Sequence, residues 1–290
     1  SIQEKKTMKP TQKNLTRKWI SGVCAAAAVL IAFTASAQII TLTDNNSVAK
    51  IDVGSQAGMN YWAVQGQNML NQQWFWYRVG QNPEASIDTI SPATVTLFNG
   101  TRGLSTYYAN NLFGIRVDYL LSGGPFVGVG EQASSDIGET ITIYNTSSSP
   151  LEFSFFQYSD FNLGDPLNDT VQLGKNLRGL WNEAVQVDNL VGLTETVTAP
   201  GANHGEAGLY NATLVKLNDG VASNLSDVGG PVGPGDATWA LQWDFLINPG
   251  GYVTINKDKY LNVRIVPEPG TVTLLALGLA GLAILRRRQG

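Results

Sequence analysis

The sequence predicts an all-β protein, an antiparallel β-sandwich or jelly roll, on three observations. Apolar and polar residues alternate with period two in several separate runs. Clusters of Gly, Pro, Asn and Asp punctuate the intervals between those runs. Long helical periodicity with caps is absent from the body. Alternation with period two sends successive side chains to opposite faces of a strand, and strands at this spacing pack as a sandwich.

The amino-terminal segment is an address rather than part of that body. From Met8, the expected start, a basic stretch ends at Arg17-Lys18 and an apolar stretch runs over 19–33. Ala35 and Ala37 then occupy the −3 and −1 positions of a cleavage site, which predicts a mature start at Gln38. Residues 1–37 thus read as a secretory signal peptide, with the Sec machinery and signal peptidase as partners. The apolar stretch makes a helix of only about 22 Å, against ~30 Å of hydrocarbon core. Cys24, the single cysteine, lies inside this segment behind Val23, where lipidation requires a small residue. The mature body therefore has no cysteine, and neither a disulfide nor a Cys-based zinc site is available to it.

The body, 38–265, reads as a single β-sandwich. Its alternating runs are 115–120, 140–143, 151–155, 239–247 and 261–265. In the fourth, Trp239, Leu241, Trp243, Phe245 and Ile247 share one face, which makes the two tryptophans core residues. Turns are expected at Asn99-Gly100, Ser122-Gly123-Gly124-Pro125, Asp219-Gly220, Gly229-Gly230-Pro231, Pro234-Gly235-Asp236 and Pro249-Gly250-Gly251. The alternative is a pair of smaller sandwiches divided near 189–208.

Charge excludes one class of partner. Ten basic residues against twenty-one acidic ones leave 38–266 at −11, although the whole chain carries only −4. Nucleic-acid affinity comes from neutralising phosphates with Lys and Arg, so nucleic acid is not an expected partner.

Three stretches are candidate sites. In 72–79, Gln72, Trp74, Trp76 and Arg78 fall on one face of a strand and Phe75, Tyr77 and Val79 on the other. Two tryptophans on a polar face would form a platform for sugar rings, with Gln72 and Arg78 supplying hydrogen bonds. The competing reading is that a loop or a neighbouring segment containing Trp62 covers the rings. The loop carrying Asp160, Asn162, Asp165, Asn168 and Asp169 is rich in hard oxygen ligands and is a weak Ca²⁺ candidate, although the EF-hand pattern is not met. Asp and Asn also populate loops because they form Asx-turns. His204, the single histidine, falls in the 199–206 segment and is expected on a solvent-facing loop; no second His or Cys completes a metal set. No catalytic residue is identified. Carboxylates are plentiful, but no spacing singles out the acid and nucleophile of a glycosidase.

The last 25 residues carry the most specific motif. Pro267-Glu268-Pro269 precedes an apolar stretch over 272–285 and the run Arg286-Arg287-Arg288. This tripartite tail, 266–290, closely resembles the PEP-CTERM sorting signal of Gram-negative bacteria. The prolines hold an extended spacer, and the arginines mark the cytoplasmic end of a membrane helix. The resemblance implies transient anchoring in the inner membrane with the body in the periplasm. Handling by an exosortase and delivery to the cell surface or the medium would follow, in association with exopolysaccharide or extracellular matrix. The body is accordingly expected to be a non-enzymatic matrix or surface component without a required cofactor. The alternatives are a carbohydrate-binding module using Trp74 and Trp76, and a polysaccharide-acting hydrolase.

Overall fold

Period-two alternation produces the expected architecture, two packed sheets whose strand pairs are antiparallel except for the short parallel pairing of Gly58 and Met59 with Gln73. The computed structural model describes residues 38–164 and 167–266. Both expected terminal helices, with Ala35, Ala37, Pro267, Glu268, Pro269 and Arg286 to Arg288, lie outside these residues. No helix among the described residues is long and apolar enough to cross a membrane.

The chain runs in order through β1 (Ile39–Asp44), β2 (Ser47–Asp52), β3 (Gly58–Val64), β4 (Gln67–Asn68), β5 (Leu70–Val79), β6 (Ala85–Ser86), β7 (Thr94–Phe98), β8 (Gly103–Ala109) and β9 (Phe113–Gly123). It continues through β10 (Gln132–Asn145), β11 (Leu151–Phe161), β12 (Asp169–Lys175), β13 (Trp181–Val187), β14 (Val191–Ala199), β15 (His204–Leu209), the short helix α1 (Ala212–Lys216), β16 (Val232–Gly235), β17 (Ala237–Ile247) and β18 (Tyr252–Arg264). The first sheet has the order β1-β2-β3-β5-β11-β17-β15, with β4 on β3 and β6 on β5. The second has the order β16-β12-β13-β14-β18-β10-β9-β8-β7. All the alternating runs fall within strands except Ile265, which follows β18. Three local expectations are corrected. Ser122 and Gly123 lie in β9 rather than in a turn, because they pair with Asp136 and Ser135 of β10. Pro234-Gly235 lies in β16 rather than in a turn, which proline's missing N–H permits because β16 is an edge strand. His204 opens β15 rather than lying in a loop, because its segment pairs with β17.

Aromatic rings bridge the two sheets. Phe75 stacks on Phe155 at 5.3 Å within the first sheet and meets Tyr119 of the second at 6.5 Å. Tyr77 meets Phe113 at 5.2 Å. Trp239, Leu241 and Trp243 are fully buried, as the alternation along β17 requires.

The other faces of the two sheets differ in what covers them. On the first sheet, side chains of β5 and β11 directed away from the second sheet are sealed by the segments around 84–90 and 213–226, which contribute Ser86, Asp88, Asn218 and Asn224. Residues on the outer face of the second sheet line open depressions. That uncovered face is where the fold leaves room for a ligand.

Candidate functional site

The candidate tryptophan platform does not form; the competing reading holds, in that other segments cover the rings, although their indole partners are Ser86 and Asn218. Trp74 and Trp76 are both completely buried. The Trp74 indole N–H donates to Ser86 Oγ at 2.9 Å, and that of Trp76 donates to Asn218 Oδ1 at 3.2 Å. Their alternation with Phe75 and Tyr77 is as expected, but the chain folds back over the face they occupy. Arg78 belongs to the same cover. Its guanidinium donates to Glu84, Ser154, Asn224 and the Ser223 carbonyl, which ties β5 to the covering segment. Gln72 donates to the Gln56 carbonyl.

The oxygen-rich loop is organised by protein partners. Asp160 accepts from Asn71 at 2.9 Å, and Asp169 accepts from the Leu163 N–H at 3.1 Å and Gln186 at 2.9 Å. Asn162 donates its backbone N–H to the Met69 carbonyl. Asp165 lies outside the described residues. Among the described residues no group of three or more His, Cys, Asp or Glu side chains is placed to hold a metal ion. His204 lies between two carboxylates, with Nδ1 2.9 Å from Asp227 and Nε2 3.5 Å from Asp244.

The open face of the second sheet carries an arrangement that the sequence did not reveal. A groove of about 800 Å³ crosses β7 to β10, lined in part by Phe98, Tyr107, Arg116, Asp118 and Tyr144. A second depression of about 400 Å³ shares Phe98 and Asp118 with it and extends to Asn256 and Asp258 on β18. Three tyrosines form a row across the strands: Tyr107 and Tyr144 with ring centres 6.4 Å apart, then Tyr144 and Tyr252 at 5.9 Å. Tyr144 and Tyr252 are direct cross-strand partners. Two glycines set the aromatics low against the sheet. A Cβ on Gly114 would stand 2.7 Å from Tyr107 Cζ, and one on Gly103 would stand 2.5 Å from the Phe98 ring. With no side chain beneath them, these rings lie over the backbone, an aromatic-over-glycine pairing known from sheet edges.

Polar groups flank the rings. Arg116 Nε donates to Ser105 Oγ at 3.1 Å and to Asp118 at 2.9 Å, and none of the described residues takes its two terminal amines. Farther along the same face, Asp136 of β10 and Asp258 of β18 are diagonal neighbours across the strand pair. Burial first, and then the Asp258 charge, push the Asp136 carboxyl up to about 7. The outward positions of β8, β10 and β18 were readable as polar-face positions, but which sheet face stays open depends on tertiary cover. That is why the tyrosine row escapes sequence reasoning.

No curated protein matches the chain in sequence. Among solved structures, an aldose 1-epimerase-like protein of Escherichia coli K12 superposes with a TM-score of 0.50 at 10% identity, covering 78% of this chain and 99% of that one. A galactose mutarotase-like protein of Lactobacillus casei has a TM-score of 0.49 at 9% identity, covering 77% and 100%. A polysaccharide lyase has a TM-score of 0.44 at 13% identity, and the match takes in 76% of this chain but 33% of the lyase. At these identities the likeness is one of fold. The tail is a different matter: residues 266–288 match the PEP-CTERM protein-sorting motif, so the chain carries the signal for export, membrane-anchored sorting and exosortase processing.

Proposed function

We propose that the protein is an exported, non-enzymatic surface or matrix component that binds a neutral polysaccharide along the outer groove of its second sheet. The tail holds it in the inner membrane until an exosortase cleaves near 267–270, and the body is then displayed or released. The row of Tyr107, Tyr144 and Tyr252 carries the binding part of this reading. Rings lying low on an open face present flat apolar surfaces to the C–H faces of pyranose rings, while Arg116, Asp118 and the threonines of β7 supply hydrogen-bonding groups to the hydroxyls. Five adjacent strands, β7, β8, β9, β10 and β18, span about 19 Å at ~4.8 Å each, enough for several sugar units. A body at −11 disfavours an anionic polymer, which selects a neutral one. The likeness to sugar-named proteins contributes architecture alone.

Affinity electrophoresis of the full chain against a panel of neutral glucans, xylans and mannans tests the proposal. Retention by one of them, lowered about tenfold in Tyr107→Ala and Tyr144→Ala (~1.4 kcal/mol each), is the expected result. Unchanged retention in both variants, or none in the parent protein, would overturn it. Intact mass from native culture fractions tests the sorting part: a species starting at Gln38 and ending within 267–270 is expected, and a full tail in the membrane fraction would refute processing.

A further inference from the structure

Four charged side chains are sealed between the sheets, away from the groove. Glu139 of β10, Glu195 of β14, and Lys257 and Lys259 of β18 all have fully buried side chains. Lys257 stands directly opposite Glu139 in the β10–β18 register, and Lys259 stands directly opposite Glu195 in the β14–β18 register. Lys257 Nζ donates to Glu139 Oε2. Lys259 Nζ lies 2.6 Å from Glu139 Oε1 and 3.2 Å from Glu195 Oε2, whereas Lys257 Nζ is 3.8 Å from Glu195 Oε2. From the opposite sheet, Gln157 Nε2 donates to both oxygens of Glu195, at 3.1 and 2.9 Å. Phe75 places its ring 5.2 Å from Lys257 Nζ, and among the described residues the buried Tyr119 hydroxyl has no hydrogen-bond partner.

This site combines a nucleophile, an electrophile and a proton carrier in a water-excluded pocket. Burying two ion pairs is costly, and the cost falls if one pair becomes neutral. At Lys257 burial prevails and pulls the amine down to about 8. At Glu139 burial is outweighed by the two ammonium groups, which hold the carboxyl below the ordinary range. The lowered carboxyl opposes passing the shared proton from nitrogen to oxygen, so the free amine against a carboxylic acid is the minor form; contact and alignment by adjacent strands let it react when it forms.

We infer that Lys257 and Glu139 become joined by an isopeptide bond after the sandwich folds. The Lys257 amine attacks Cδ of the protonated Glu139 carboxyl, forming the N–C bond and a tetrahedral intermediate. Glu195 takes the surplus proton from the nitrogen and returns it to the departing hydroxyl as the C–O bond breaks. One water leaves, one amide remains, and nothing is oxidised or reduced. The product suits the pocket. Glu139 Oε1 becomes the amide carbonyl and keeps the hydrogen bond from Lys259, while Lys259 and Glu195 remain as a balanced ion pair. The bond would tie together strands whose linked residues are 118 positions apart. In an exported body without cysteine this is the constraint that a disulfide would otherwise supply.

Tryptic digestion of the folded full chain, followed by mass spectrometry, tests the inference. Cleavage after Arg116 and Lys175 releases 117–175, and Lys257 lies in 217–259. The expected result is a branched species joining these segments, lighter than their sum by one water and uncut at Lys257. Lys257→Arg should give the unlinked segments, and Glu195→Gln should slow the appearance of the branched species. A parent protein that yields free, unmodified 117–175 and is cut at Lys257 overturns the bond whatever the variants do. Undiminished linkage in Glu195→Gln overturns the role given to Glu195.

Discussion

Gly114 on β9 vacates the space that the Tyr107 ring of β8 fills, so a glycine on one strand sets the height of an aromatic on its neighbour. The relationship predicts that Gly114→Ala acts on the groove rather than on the core. A methyl group 2.7 Å from Tyr107 Cζ must lift the ring off the sheet. Polysaccharide retention should then fall about as far as in Tyr107→Ala, while unfolding shifts by no more than about 1 kcal/mol, the usual scale for a change on an open face. Equal retention in parent and variant would show that the height of the ring is irrelevant to binding.

Trp74 and Trp76 lead to the opposite expectation. Both are fully buried with their indole N–H groups bonded, so Trp74→Ala opens a cavity and removes the indole donor shared by Ser86 and Asp88. The expected loss is about 3–5 kcal/mol, read from urea unfolding, with glycan retention unchanged in whatever fraction stays folded. A stable variant that has lost retention would return these rings to the list of ligand contacts.

Two carboxyls make stability depend on pH. Asp136 is raised to about 7 by burial and the Asp258 charge, and Asp169 to about 7, mainly by burial. Unfolded, both release their protons near 3.8. The folded chain therefore binds more protons between about pH 4 and 7, and stability should fall as pH rises through that window. Asp136→Asn keeps a donor toward Asp258 and should flatten the decline. Urea midpoints at pH 5 and pH 7.5 check this; a midpoint that rises with pH in the parent protein would contradict the assignment.

How much was legible in the sequence follows from which forces act locally. Alternation in 115–120, 140–143, 151–155 and 239–247 is a local consequence of one buried sheet face, and each run lies in a strand. The same pattern separated Trp74 and Trp76 from Phe75 and Tyr77, but it is silent about what lies on top of either set. The cover over Trp76 comes from Asn218, 142 residues away, and the partners of Glu139 lie at 257 and 259. Such contacts are set by sheet order and register, which no local pattern encodes. The tail motif was legible because its three parts are contiguous in the chain.

Arg78 shows how the covering segment can be tested as a unit. Its guanidinium pairs with Glu84 at 2.8 Å, donates to the Ser223 carbonyl and Asn224, and lies 5.4 Å from the Phe156 ring centre. The Glu84 side chain is 1% exposed. Arg78→Met should therefore cost about 3–5 kcal/mol, because it strands a buried carboxylate as well as removing contacts. Arg78→Lys should recover little, since one ammonium cannot reproduce a planar fork reaching four acceptors. Removing both charges in Arg78→Met/Glu84→Gln should recover part of the loss, because no unpaired charge then remains. If the double variant is no more stable than Arg78→Met, the loss comes from the contacts to Ser223 and Asn224, and the arginine works as a clasp on the covering segment rather than as half of an ion pair.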